Sequence, residues 1–79
     1  MIRTLVKTDV VEVGERVLSI RYFADRTARG LPRYSAEIEL GADDRVILDD
    51  DSLARLEARA ARLAPATCYS RLLVKATAA

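Results

Sequence analysis

Two stretches of the chain contain a series of apolar residues at every second position, which we call an apolar ladder. The stretches run from Glu15 to Ala24 and from Arg33 to Leu40. A period of two is typical of a β-strand that turns one face to a core and the other to water. The ladder positions are Leu18, Ile20, Tyr22 and Ala24, followed by Tyr34, Ala36, Ile38 and Leu40. We therefore predict two strands, near residues 16–24 and 33–40, that share one core.

The segment before the first ladder predicts a further strand and a tight turn. Residues near 2–13 are rich in β-branched types, which favour strands. Gly14-Glu15 fits a two-residue type II′ hairpin, since glycine takes the positive φ of the first turn position. This turn sets Val11 opposite Leu18. The alternation is broken near Val10-Val11, where a one-residue bulge would bring both halves of the strand onto the same face.

The connection between the two ladders, Asp25 to Pro32, contains Gly30 and Pro32 and predicts a loop. Pairing Ala24 with Tyr34 sets the apolar residues of one ladder opposite those of the other. On the reverse face the same register sets Arg21 opposite Glu37. A cross-strand ion pair of this kind is worth about 0.2 to 1 kcal/mol.

The C-terminal half changes from strand to helix periodicity. A short strand is predicted near 45–48, and a helix near 51–64 begins after the acidic run Asp49-Asp50-Asp51-Ser52. One face of this helix holds Leu53, Leu56, Ala60 and Leu63. Pro65 ends the helix or forces a new start.

The last segment, near 67–75, fits two patterns. A helix face would hold Tyr69, Leu72, Leu73 and Ala76, whereas a strand face would hold Cys68, Ser70, Leu72 and Val74. We favour a helix. The predicted fold is a single α+β domain over residues 1–79, an antiparallel β-meander of three to four strands followed by an amphipathic helix packed on one face and a short C-terminal helix or strand.

Composition limits what can stabilise this domain. With 79 residues the chain builds one modest core, and small chains often add a disulfide, a metal or a partner subunit. Cys68 is the only cysteine and histidine is absent, so no disulfide forms within the chain and a structural zinc site is not expected. A partner subunit remains as the natural supplement, and we predict a homodimer.

Charge and hydropathy indicate a soluble protein. The net charge is +1, and no apolar run approaches the roughly 18 residues that span a bilayer. We expect a cytoplasmic protein that does not bind membranes, and an unpaired cysteine agrees with a reducing compartment. Eleven of the thirteen basic residues are arginine. Alanine is also abundant, and both features are typical of proteins from GC-rich bacterial genomes.

Catalytic chemistry has little support in the sequence. Without histidine there is no imidazole base, and Cys68 lacks the partner that would activate it as a nucleophile. No glycine-rich phosphate loop is present. The clustered aspartates could in principle bind a hard cation, but they fit helix capping and turns better: Asp43, Asp44, Asp49, Asp50 and Asp51. We predict no enzyme activity, no cofactor and no metal.

Two groups of residues are candidates for binding. Apolar side chains on the reverse face of the sheet, with an arginine among them, are typical of an association surface, and we assign Val17, Arg21, Phe23 and Ile47 to it. Basic residues in and around the 25–32 loop could bind a polyanion such as nucleic acid: Arg21, Arg26, Arg29 and Arg33. A solvated basic loop is the alternative for the second group.

One partial resemblance bears on this choice. The segment from Gly14 to Asp25, and Val46-Ile47-Leu48-Asp49 running into a helix, resemble parts of the positive-cofactor-type transcriptional coactivators, which bind single-stranded DNA as dimers. The resemblance covers about a third of the chain, and the family's lysine-rich linker before the last strand is missing. We therefore predict first a non-catalytic protein-interaction module that self-associates through a sheet face or edge, with binding of another protein also possible. The alternative is a small nucleic-acid-binding protein that uses the arginine-rich loop.

Overall fold

A computed structural model describes residues 3–77 of the chain, with side chains as far as Val74. Four antiparallel strands form one sheet in the order β1-β2-β3-β4, and one helix packs on a single face of it. The elements are β1 Thr4–Val13, β2 Arg16–Arg26, β3 Pro32–Gly41, β4 Asp44–Asp50 and α1 Leu53–Thr77. The predicted α+β meander with a helix on one face is confirmed. Residue 2, where the first strand was predicted to begin, lies outside the described residues.

The β1–β2 hairpin follows the turn chemistry of Gly14. This glycine has a φ of 62°, whereas no other residue type in the described chain has a positive φ. A type II′ turn is therefore formed, because a type I′ turn would require a positive φ at Glu15 as well. The predicted pairing of Val11 with Leu18 is confirmed.

The predicted bulge near Val10-Val11 is wrong, because the register of β1 shifts between Leu5 and Lys7 instead. Lys7 lies on the side of the sheet that carries α1, and its Nζ contacts Glu57 Oε1 of the helix at 3.0 Å. The Glu57 carboxylate raises the pKa of this lysine. Because a charged residue occupies a position that faces the helix, the apolar alternation in β1 does not show which face of the strand is buried.

The β2–β3 register agrees with the sequence prediction in detail. Ala24 pairs with Tyr34, and Arg21 pairs with Glu37. One face of the sheet and one side of α1 enclose the core. Its buried members are Leu18, Ile20, Tyr22, Ala36, Ile38 and Leu40 from the sheet and Leu56, Ala60, Ala64 and Cys68 from the helix. The small side chains on the helix allow it to approach the sheet closely.

The start of α1 is fixed by Ser52 and Asp50. Ser52 Oγ accepts a hydrogen bond from the Arg55 backbone N at 3.3 Å. The buried Asp50 carboxylate accepts hydrogen bonds from Arg55 Nε at 3.0 Å and Arg59 Nη1 at 3.1 Å. Arg55, more than any other neighbour, lowers the pKa of Asp50 well below its usual range. The acidic run thus joins β4 to the helix, as capping predicts.

We expect Asp50→Asn to destabilise the protein at neutral pH and less in strong acid. A depressed folded-state pKa contributes stability that is fully present above the unfolded-state value of about 3.9 and is lost gradually as the pH falls from there through the much lower folded-state value. Chemical denaturation of the wild type and the variant at pH 7 and near pH 2 measures the difference. An equal difference at both values would contradict the assigned role.

The helix continues through Pro65, so the prediction that it ends there is wrong. Proline removes the hydrogen bond to the Ala61 carbonyl, and both residues lie on the exposed side of α1, where water can replace it. Ala64 and Cys68 are buried against the sheet on either side of the proline. Tertiary packing therefore holds the helix together across a residue that would end it locally. The segment near 67–75 is helical, as favoured.

Replacing Pro65 with alanine is expected to raise the free energy of unfolding by about 1 to 2 kcal/mol. The gain comes from the restored hydrogen bond and the better helix propensity, reduced by the greater freedom of the unfolded chain. Urea titration followed by circular dichroism measures this effect. A loss of stability would show that the ring of Pro65 makes a favourable contact.

Candidate interaction surface

The sheet face opposite α1 carries the residues assigned to association. Cross-strand pairing sets Arg21 beside Glu37 and Glu37 beside Ile47, and Val17 and Phe23 lie on the same side of β2. We call this surface the open face. The four predicted residues therefore lie on one face of the sheet, but they are not all next to one another on it.

An ion network occupies the centre of the open face. Glu37 is only 3% exposed, although no helix covers it. Its two oxygens accept hydrogen bonds at 3.2 Å, one from Arg3 Nη1 and one from Arg21 Nη2. Arg21 Nη2 also lies 2.6 Å from Glu39 Oε1. Arginine side chains therefore bury a carboxylate on the outside of the sheet.

Arg3 links this network to the predicted aromatic residue. Its guanidinium lies 3.9 Å from the centroid of the Phe23 ring, in the geometry of a cation–π contact. Leu5 pairs with Phe23 across the β1–β2 ladder and is exposed. Phe23 is therefore half-covered within the monomer and is not an exposed apolar anchor.

The exposed apolar side chains of the open face surround the ion network. Val10 and Val17 are both 63% exposed and lie diagonally across the β1–β2 ladder, since Val10 pairs with Ser19 and Val17 with Glu12. Ile47 is exposed on the other side of the network. The open face is a set of apolar spots around a polar centre.

The predicted polyanion residues are divided by their partners. Arg21 contacts two glutamates, and Arg33 Nη2 lies 2.7 Å from Asp49 Oδ2. Arg26 and Arg29 are exposed and form no ion pair within residues 3–77. Arg26 Nη1 donates a hydrogen bond to the Gly30 carbonyl at 2.9 Å. Two of the four arginines thus keep their charge available to a partner.

Four of the five aspartates that could have formed a cation site contact arginines within the fold: Asp44, Asp49, Asp50 and Asp51. Asp44 contacts Arg71, Asp49 contacts Arg33, and Asp51 contacts Arg55. Within the described part of the chain, no three Asp, Glu or Cys side chains group closely enough to hold a metal ion. Nor does any described helix combine the length and apolar character needed to cross a membrane.

No family model, curated protein or solved structure matches this chain. The partial resemblance to the coactivator family therefore rests only on the segments in which it was found.

A second apolar surface lies on the exposed side of α1, next to the row of buried residues that packs on the sheet. Tyr69 is 65% exposed and Leu72 is 45% exposed. Ala54, Ala58 and Ala61 continue the same side towards the helix start and are exposed too. We call this surface the outer helix face.

The residues of this face have helical spacing in the sequence. The prediction of a helix that ends at Pro65, however, assigns them to two different elements. Tyr69 and Leu72 then belong to a separate element of uncertain type, and the alanines belong to a helix that ends before them. Only the continuous helix places both groups on one surface.

Proposed function

We propose that the protein is a small non-catalytic interaction module that self-associates as a homodimer. The supporting observation is that one helix covers only one side of a four-stranded sheet. Large apolar side chains therefore stay exposed both on the open face and on the outer helix face. Exposed apolar side chains that lie next to one another on a small domain usually mark association sites.

The proposal agrees with the limits of a small core. A chain of 79 residues buries a smaller fraction of its surface than a larger domain does, so a second copy adds stability that the monomer lacks. The thiol of Cys68 is free and buried, which is compatible with a reducing compartment. We extend the proposal to a cytoplasmic location.

Sedimentation velocity at two concentrations in the micromolar range tests self-association. We expect a sedimentation coefficient that rises with concentration towards that of two chains, or one that corresponds to two chains at both concentrations. A monomer at both would contradict the proposal.

Nucleic-acid binding is the second candidate, supported by Arg26 and Arg29, which are exposed and form no ion pair with the side chains that the structure describes. Two adjacent cations in a loop can contact phosphates, and such binding weakens as salt rises. Titration of labelled single- and double-stranded oligonucleotides at low and moderate salt tests it, with Arg26→Ala and Arg29→Ala as the variants. If this candidate is correct, both variants reduce affinity. Absence of binding at low salt would exclude it.

A further inference from the structure

Five exposed residues of the outer helix face have a spacing that reads the same in both directions along α1. Ala58, Ala61, Pro65, Tyr69 and Leu72 are separated by three, four, four and three residues, and Ala54 lies one turn before this series. At about 100° per residue these positions fall on one side of the helix. Pro65 is the midpoint of the series.

This symmetry has a direct consequence for two copies of the helix. If two α1 helices pack antiparallel about a two-fold axis at Pro65, Ala58 of one copy lies opposite Leu72 of the other. In the same register Ala61 lies opposite Tyr69. Each large side chain then meets a small one, as close packing between helices requires.

The fold leaves the outer helix face largely uncovered. The sheet packs on the neighbouring row of α1, where Leu56, Ala60, Ala64 and Cys68 are buried. Tyr69 stays 65% exposed and Leu72 45% exposed, so the strands of the same chain do not cover them.

Charge and area are compatible with a second copy. Arg55, Arg59 and Arg71 of the helix already contact aspartates of their own chain. Arg62 borders the outer helix face, and a long arginine can keep its charge at the rim of a contact. Full burial of the exposed parts of Tyr69, Leu72 and the small side chains on both copies would cover roughly 1,000 Å², about the least that a specific interface needs.

We propose that the outer helix face is the surface on which a second copy of the chain docks, with the two α1 helices antiparallel and the two-fold axis at Pro65. This inference rests on the proposed self-association and identifies its surface. The open face, with its internally paired ion network, stays outside this contact.

Single cysteines test the arrangement because they report distance across the axis. In a Cys68→Ala background, we expect Pro65→Cys to form a disulfide-linked dimer under mild oxidation, since residues on the axis of closely packed helices come within bonding range. Ala54→Cys is the matched control on the same face. The two Ala54 positions would lie on the order of 30 Å apart, at 1.5 Å of rise per residue, and should stay unlinked.

Charge substitutions give an independent readout in solution. Leu72→Glu is expected to raise the dimer dissociation constant at least tenfold. Ser70→Glu lies on another side of the same helical turn and should change it less than about twofold. Circular dichroism of each variant confirms that it is folded, and the cysteine experiment provides the test if Leu72→Glu is not.

The outcomes separate this inference from the proposed function. A wild-type dimer that is not linked at Pro65→Cys, that is linked equally well at Ala54→Cys, or that is dissociated by Val17→Glu and not by Leu72→Glu would overturn the helix arrangement while self-association stands. A wild-type monomer throughout the micromolar range would overturn both.

Discussion

Replacing Ala64 with leucine is expected to lower the free energy of unfolding by about 3 kcal/mol. Ala64 is fully buried between α1 and the sheet, in line with Ala60 and Cys68, and these small side chains set the distance between the two layers. Overpacking a core typically costs about 1 to 3 kcal/mol, and this site is at the upper end because its neighbours on the helix hold it close to the sheet. Urea denaturation measures the change.

Ala66→Leu is the matched control for this substitution. Ala66 lies two residues further along the same helix and is exposed, so the added atoms extend into solvent. Its effect should stay within about 0.5 kcal/mol. Equal losses in both variants would show that leucine disturbs the helix itself and not the contact with the sheet.

Removing the Glu37 side chain is expected to destabilise the protein by about 2 kcal/mol. Breaking a buried ion pair by deleting one partner costs about 3 to 5 kcal/mol, but here Arg3 and Arg21 are partly exposed and recover some hydration. Arg21 Nε is already buried without a partner among the described residues. Losing Glu37 removes a hydrogen-bond acceptor that offsets the burial of this guanidinium. Thermal and urea unfolding of Glu37→Ala test this prediction.

Glu39→Ala serves as its control, because Glu39 contacts the same arginine from the same strand. Its side chain is 45% exposed, and exposed ion pairs contribute about 0.2 to 1 kcal/mol. A Glu39→Ala loss as large as that of Glu37→Ala would mean that burial does not distinguish the two glutamates.

The strand register could be predicted because several local signals agree on it. Gly14 determines the first turn, and the observed register of β2 and β3 is the one that matches all four apolar positions of each strand. A shift by one residue would turn Ile20 and Ile38 to the wrong face. The pairing of Arg21 with Glu37 follows from the same register.

Features that depend on distant residues could not be read in this way. The sequence predicts an exposed ion pair at Glu37, whereas the burial of this carboxylate requires Arg3, which lies 34 positions away. The continuity of α1 through Pro65 depends on how Ala64 and Cys68 pack against the sheet, and this contact outweighs the local preference of proline. The outer helix face is recognised only once that continuity is known.

Small-angle X-ray scattering of the wild type tests self-association most directly, since it reports mass and size together. One chain has a radius of gyration of 14.0 Å and extents of 48 × 20 × 17 Å. We predict a forward scattering that corresponds to two chains in the micromolar range, with a radius of gyration clearly above the single-chain value. The mass of one chain and a radius close to 14.0 Å at every concentration would contradict a homodimer.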